Sequence, residues 1–70
     1  MPTIHSPLSG CVAALCVEPH STVAAGDPLL IIESMKMEIP VEAEGSGKIM
    51  RFLVAEGDEV SEGQALVELQ

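Results

Sequence analysis

The sequence predicts an all-β domain made of two copies of one unit, and three observations carry that reading. The first is an internal repeat. Residues 6–33 lie over residues 43–70 at an offset of 37, so Ser9 meets Ser46, Gly10 meets Gly47, Val17 meets Val54, Val23 meets Val60, Gly26 meets Gly63 and Leu29 meets Leu66. Matches at turn glycines and apolar positions together mark a duplicated structural unit. The second is the shortness of the apolar runs. No window places apolar residues at i, i+3, i+4 and i+7 between helix caps over the length a helix needs. The third is proline: Pro2, Pro7, Pro19, Pro28 and Pro40 cut the chain into pieces too short for helices. Two copies are too few for a solenoid, so one closed, pseudo-symmetric domain over residues 1–70 is expected.

Each copy opens with a run rich in small or branched apolar residues, "CVAALCV" and "KIMRFLV". Turn material follows, "EPHST" and "AEGDE", then a second turn, "AAGDP" and "SEGQA". A short apolar strand closes each unit, "LLII" and "LVEL". Val12 and Leu15 are three apart, as are Ile49 and Phe52. A regular strand would send the members of each pair to opposite faces. Either both faces are partly buried, or a bulge sits at the same place in each copy and helps curl the sheet. The expected core is a set of matched pairs: Val17 with Val54, Leu29 with Leu66, Leu15 with Phe52, and Val23 with Val60.

Composition narrows the function. Hydrophobic residues make up 47% of the 70 residues, which excludes a disordered tail. Phe52 is the one aromatic residue, so the core must be built from Val, Ile, Leu, Ala and Met. A net charge of −8 argues against nucleic acid and against anionic membrane surfaces. No apolar run approaches the roughly 20 residues of a spanning helix. The N-terminal stretch lacks a basic region followed by an apolar one, so a cytoplasmic protein is expected. Cys11 and Cys16 would stand about 16 Å apart along a strand, too far for a disulfide or a shared metal ion. Both are expected to be spectator thiols, at least half buried, and His5 and His20 to be surface residues without chemistry.

One stretch has no counterpart in the repeat. In "ESMKMEIPV", Lys36 stands between Met35 and Met37, with Glu33 and Glu38 outside them. Glu33 aligns with Gln70, so the lysine falls in the junction between the copies. Apolar strands flank it, which places Ser34 to Met37 near the tip of a projecting hairpin. In a pseudo-twofold domain that tip lies at one end and the chain termini at the other. A Schiff-base lysine needs apolar or cationic neighbours, and here they are acidic. A phosphate-binding lysine needs a Gly-rich loop, and "EGSGKI" carries Ile49 where Ser or Thr belongs. There is no Ser-His-Asp set and no His-rich metal cluster. What remains is a lysine on which another protein acts.

At this point the chain resembles the biotin/lipoyl attachment family. The centre "ESMKMEIP" is similar to the biotin attachment signature, and the resemblance extends through the openings at Gly10 and Gly47, "VAAGDPLLIIES" and "VAEGDEVSEGQALVEL". It implies a flattened antiparallel barrel, or sandwich, of two four-stranded sheets with pseudo-twofold symmetry. It implies that Lys36 is biotinylated by a biotin protein ligase. A biotin carboxylase would then load a carboxyl group, and a carboxyltransferase would pass it to an acceptor, commonly an acyl-CoA. The chain would be a non-catalytic carrier, similar to the short carrier subunits of acetyl-CoA carboxylase. The unbroken offset implies that it lacks the "thumb" loop of some relatives. Met35 and Met37 would be read by the partner enzymes, with Glu33, Ser34 and Glu38 as candidate ligase contacts. Alternatively, both methionines cover the end of the core.

The pattern departs from the family in three turns. Ser9 and Glu44 stand where proline is frequent. His20 stands where the second copy has Gly57, so the first turn is expected to do without a positive φ. Two rival functions remain. One is a lipoyl carrier, or a domain that takes both groups; the lipoyl pattern resembles Asp-Lys-Ala, whereas here Met35 and Met37 flank the lysine. The other is an unmodified interaction module that kept the fold and lost the ligand.

Overall fold

The two copies fold into interlocking halves, and the offset of 37 maps one onto the other almost bond for bond. The computed structural model describes residues 2–70. In chain order the strands are β1 (Thr3–His5), β2 (Gly10–Leu15), β3 (Thr22–Val23), β4 (Pro28–Ser34), β5 (Met37–Glu42), β6 (Gly47–Phe52), β7 (Glu59–Val60) and β8 (Ala65–Leu69). They form two four-stranded antiparallel sheets, ordered β1-β8-β6-β3 and β5-β4-β2-β7. Exchanging β1 with β5, β2 with β6, β3 with β7 and β4 with β8 turns one order into the other. This is the pseudo-twofold sandwich expected from the sequence.

The equivalence extends to the turns. Gly26 donates its N–H to the Ala43 carbonyl, and Gly63 does the same to Ser6, 37 residues before Ala43. The Ala24 N–H is capped by the Asp27 carboxylate at 2.9 Å, and the equivalent Ser61 N–H by the Gln64 side-chain oxygen at 3.0 Å. His20 donates to the Ile49 carbonyl as Gly57 donates to Val12.

The bulges are also duplicated. Pairing of β2 with β4 slips between Val12 and Ala14, and pairing of β6 with β8 slips at the equivalent Ile49 and Arg51. Of the two alternatives the sequence left open, the bulge is therefore the one adopted. The added residue brings Val12 and Leu15 to one side, and likewise Ile49 and Phe52, and bends each strand toward the facing sheet. A second pair of slips, between Ile4 and His5 and between Pro28 and Leu30, obeys the same symmetry.

The core is aliphatic and paired. Val12 and Ile49, Val23 and Val60, Leu29 and Leu66, Leu30 and Val67, and Ile32 and Leu69 are all buried. Ser6 is the buried polar residue, and its hydroxyl is satisfied by donating to the Leu8 carbonyl at 2.6 Å. The sequence-based core needs one correction. Leu15, Phe52 and Val17 pack against the core but are only half-buried. Leu15 and Phe52 end their strands, and the two-residue strands β3 and β7 are too short to cover that region of the sandwich.

Two further expectations are corrected. Cys11 is half-buried, but Cys16 is exposed. His20 does adopt a positive φ, 71°, against 92° for Gly57. The turn geometry is conserved between the copies, and the histidine absorbs the steric cost that glycine avoids.

Candidate functional site: a lysine on a strained hairpin turn

Strands β4 and β5 pair from Pro28 and Glu42 up to Ser34 and Met37, leaving Met35 and Lys36 as a two-residue turn. Both have left-handed backbones, with φ of 54° and 67°. This combination defines a type I′ turn, whose twist matches that of the flanking strands and which ordinarily takes Asn-Gly. Neither Met nor Lys is favoured there. Each such residue costs on the order of 1–3 kcal/mol, and strain of this kind persists where the surrounding pairing over-determines it. Five consecutive pairings, from Leu30 with Val41 to Ser34 with Met37, anchor the turn.

The turn holds Lys36 out in solvent, and Met35 is 92% exposed and Met37 63%. The methionines therefore do not cover the end of the core. Among the described residues the one ion pair joins Arg51 to Glu68, so no carboxylate holds the Lys36 ammonium. An exposed, unencumbered primary amine on a projecting tip suits amide formation with the carboxyl group of a cofactor. Lys48 differs: it lies within β6, paired with Thr22, and its carbonyl accepts from the Gln70 N–H. The chain ends meet in that region, where Leu69 donates to the Pro2 carbonyl.

The structure brings all six sequence-predicted site residues together. Glu33 faces Glu38 and Ser34 faces Met37 across the hairpin, below the Met35-Lys36 turn. It also adds residues that the sequence reading missed. Cys11 pairs with Glu33 on one side and Glu59 on the other. Glu38, Glu33, Cys11 and Glu59 therefore form one row across the whole sheet, directly beneath the turn. Beside the row lies an open groove of about 670 Å³, which Met35 and Ser34 wall from the hairpin and Ser9 and Ser61 from the opposite side. Gly10, also in this lining, fits where no side chain could: a Cβ there would stand 2.5 Å from the Glu33 carbonyl oxygen. The repeat alignment held no signal for this groove, because the groove joins the start of β2 to β7 across the copies.

A family model described as "Biotin-requiring enzyme", covering biotin and lipoyl attachment, matches residues 1–69. The chain belongs to the biotin/lipoyl attachment family. Within that family, it is 42% identical over 67 residues to the propionyl-CoA carboxylase alpha chain of Sus scrofa, covering 96% of this chain and 9% of that protein. It superposes on the urea carboxylase of Kluyveromyces lactis with a TM-score of 0.90 and 33% identity, over 94% of this chain and 6% of that one. It also matches the lipoyl domain of the 2-oxoglutarate dehydrogenase complex of Azotobacter vinelandii, with a TM-score of 0.83 and 29% identity, over 100% and 96%. The chain thus spans under a tenth of the carboxylases that it resembles, and the attachment fold is shared by biotin and lipoyl relatives alike.

Proposed function

We propose that this chain is a biotin carrier module of a biotin-dependent carboxylase and that Lys36 is the residue biotinylated. The observation that carries the proposal is the strained turn, which spends stability to project one free amine between two exposed methionines. The similarity to carboxylase chains supports biotin over lipoate, as does Met-Lys-Met in place of Asp-Lys-Ala. Bound biotin supplies a ureido nitrogen that can carry a carboxyl group between active sites.

The chain's own contribution is presentation. The hairpin holds the amine away from the sandwich, so that a biotin protein ligase, a biotin carboxylase and a carboxyltransferase can each enclose it. Met35 and Met37 are unbranched and polarizable, a surface that adapts to three different partners. Glu33, Ser34 and Glu38 form the base of the hairpin, within reach of the ligase. The module itself carries out no catalysis, and its carboxyl acceptor is an acyl-CoA. The test is intact mass of the protein from its native cells, followed by peptide mapping. A biotinyl adduct on Lys36 is expected; a lipoyl adduct or an unmodified lysine would overturn the proposal.

A further inference from the structure

Granted a biotinylated Lys36, as proposed above, we infer that the groove beside the hairpin is a resting site for the ureido ring of the attached biotin between visits to partner enzymes. The groove is continuous with the attachment point, because Met35, the neighbour of Lys36, forms one wall. Its lining carries two carboxylates, Glu33 and Glu59, three hydroxyls, Ser9, Ser34 and Ser61, and no cationic side chain. The ureido ring offers two N–H donors and one carbonyl acceptor. Carboxylates accept such N–H groups strongly, and serine hydroxyls can donate to the carbonyl. Cys11 and Met35 supply soft, polarizable surface for the fused sulfur ring.

The same chemistry discriminates. A neutral ring gains hydrogen bonds to Glu33 and Glu59, whereas a ring bearing an anionic carboxyl group meets their like charge. The groove therefore favours the unloaded ring and leaves the loaded one free in solvent. The positions related to Ser9, Cys11, Glu33 and Glu59 by the offset of 37 are Ser46, Lys48, Gln70 and Thr22, so the two carboxylates are not repeated at the other end of the domain.

The test is solution NMR on isotope-labelled protein, unmodified and after biotinylation by a biotin protein ligase, with the Lys36 adduct checked by mass. Amide shifts at Ser9, Cys11, Glu59 and Ser61, with through-space contacts from the ring to Cys11 and Ser61, are expected in the biotinylated form. The biotinylated Glu33→Gln/Glu59→Gln protein should keep the fold, since both side chains are exposed, and lose those contacts. Shifts confined to residues 33–38 would overturn the resting site while leaving the carrier reading intact. Groove shifts that arise only when a partner enzyme is added, with none from the ring, would assign the groove to a protein contact and equally overturn it. A protein with no adduct on Lys36 would instead overturn the carrier reading itself.

Discussion

Glu33 and Glu38 face each other directly across β4 and β5, one pairing below the turn that holds Lys36. Like charges in directly opposed positions destabilise a sheet, by roughly 0.2–1 kcal/mol against neutral pairs. Both side chains are exposed, so the cost falls toward the lower end of that range. Glu38→Gln should therefore raise the melting temperature slightly at low salt, with the gain shrinking as salt screens the pair. If the pair is held for recognition, the same variant will be biotinylated more slowly than the parent. Melting curves at two salt concentrations and a ligase time course check both halves.

His20 sits at φ 71° in the turn that its counterpart Gly57 fills at 92°. A left-handed residue other than glycine costs roughly 1–2 kcal/mol, part of which glycine gives back through its floppier unfolded chain. His20→Gly should raise stability by about 1 kcal/mol, or about 4–8 °C for a domain of this size. The reverse change, Gly57→Ala, should lower it. Thermal unfolding of both variants is the check, and a destabilised His20→Gly would show that the imidazole, not the backbone, decides this turn.

Leu66 is fully buried, whereas Phe52 is half-buried at the rim of the sandwich. Leu66→Ala should cost about 2–5 kcal/mol. Phe52→Ala should cost less than Leu66→Ala despite removing more atoms, because part of the ring is already in water. Denaturant midpoints order the two variants.

That ordering shows where sequence reasoning stopped. The repeat located most of the paired core and the hairpin junction, and it marked the spacing at which a bulge was one of two alternatives, because each leaves a mark in apolar spacing or turn glycines. Burial of Phe52 was overestimated because it depends on the length of β7 and β3. Two residues such as Glu59-Val60 are too few for any period to show. The His20 turn was misjudged from residue preference, which pairing to Ile49 overrides. The turn at Met35-Lys36 lacks the Asn-Gly signal of its type, and was legible only as the segment the repeat could not match. The row Glu38-Glu33-Cys11-Glu59 adds to the hairpin pair two residues from β2 and β7, which are distant in sequence, and nothing local announces that addition.

Met35 and Met37 are exposed at the tip, so Met35→Ala and Met37→Ala should shift the melting temperature little. Each flanks the amine that the ligase must enclose, so biotinylation should slow measurably. Replacing Ser34-Met35 by Thr-Asp and Met37 by Ala should weaken selection by the biotin ligase further. A variant that melts much earlier yet is modified at the parent rate would make the methionines structural and remove their recognition role.

The central claim is that one amine, Lys36, carries the cofactor. The most direct measurement is intact mass with avidin binding for the parent and Lys36→Arg, each produced together with a biotin protein ligase. Arginine keeps the charge and cannot form the amide, and the exposed position predicts an unchanged melting temperature. The account predicts one biotinyl adduct on the parent, and no adduct and no avidin binding for Lys36→Arg. Avidin-reactive Lys36→Arg, with biotin on Lys48 or elsewhere, would contradict it.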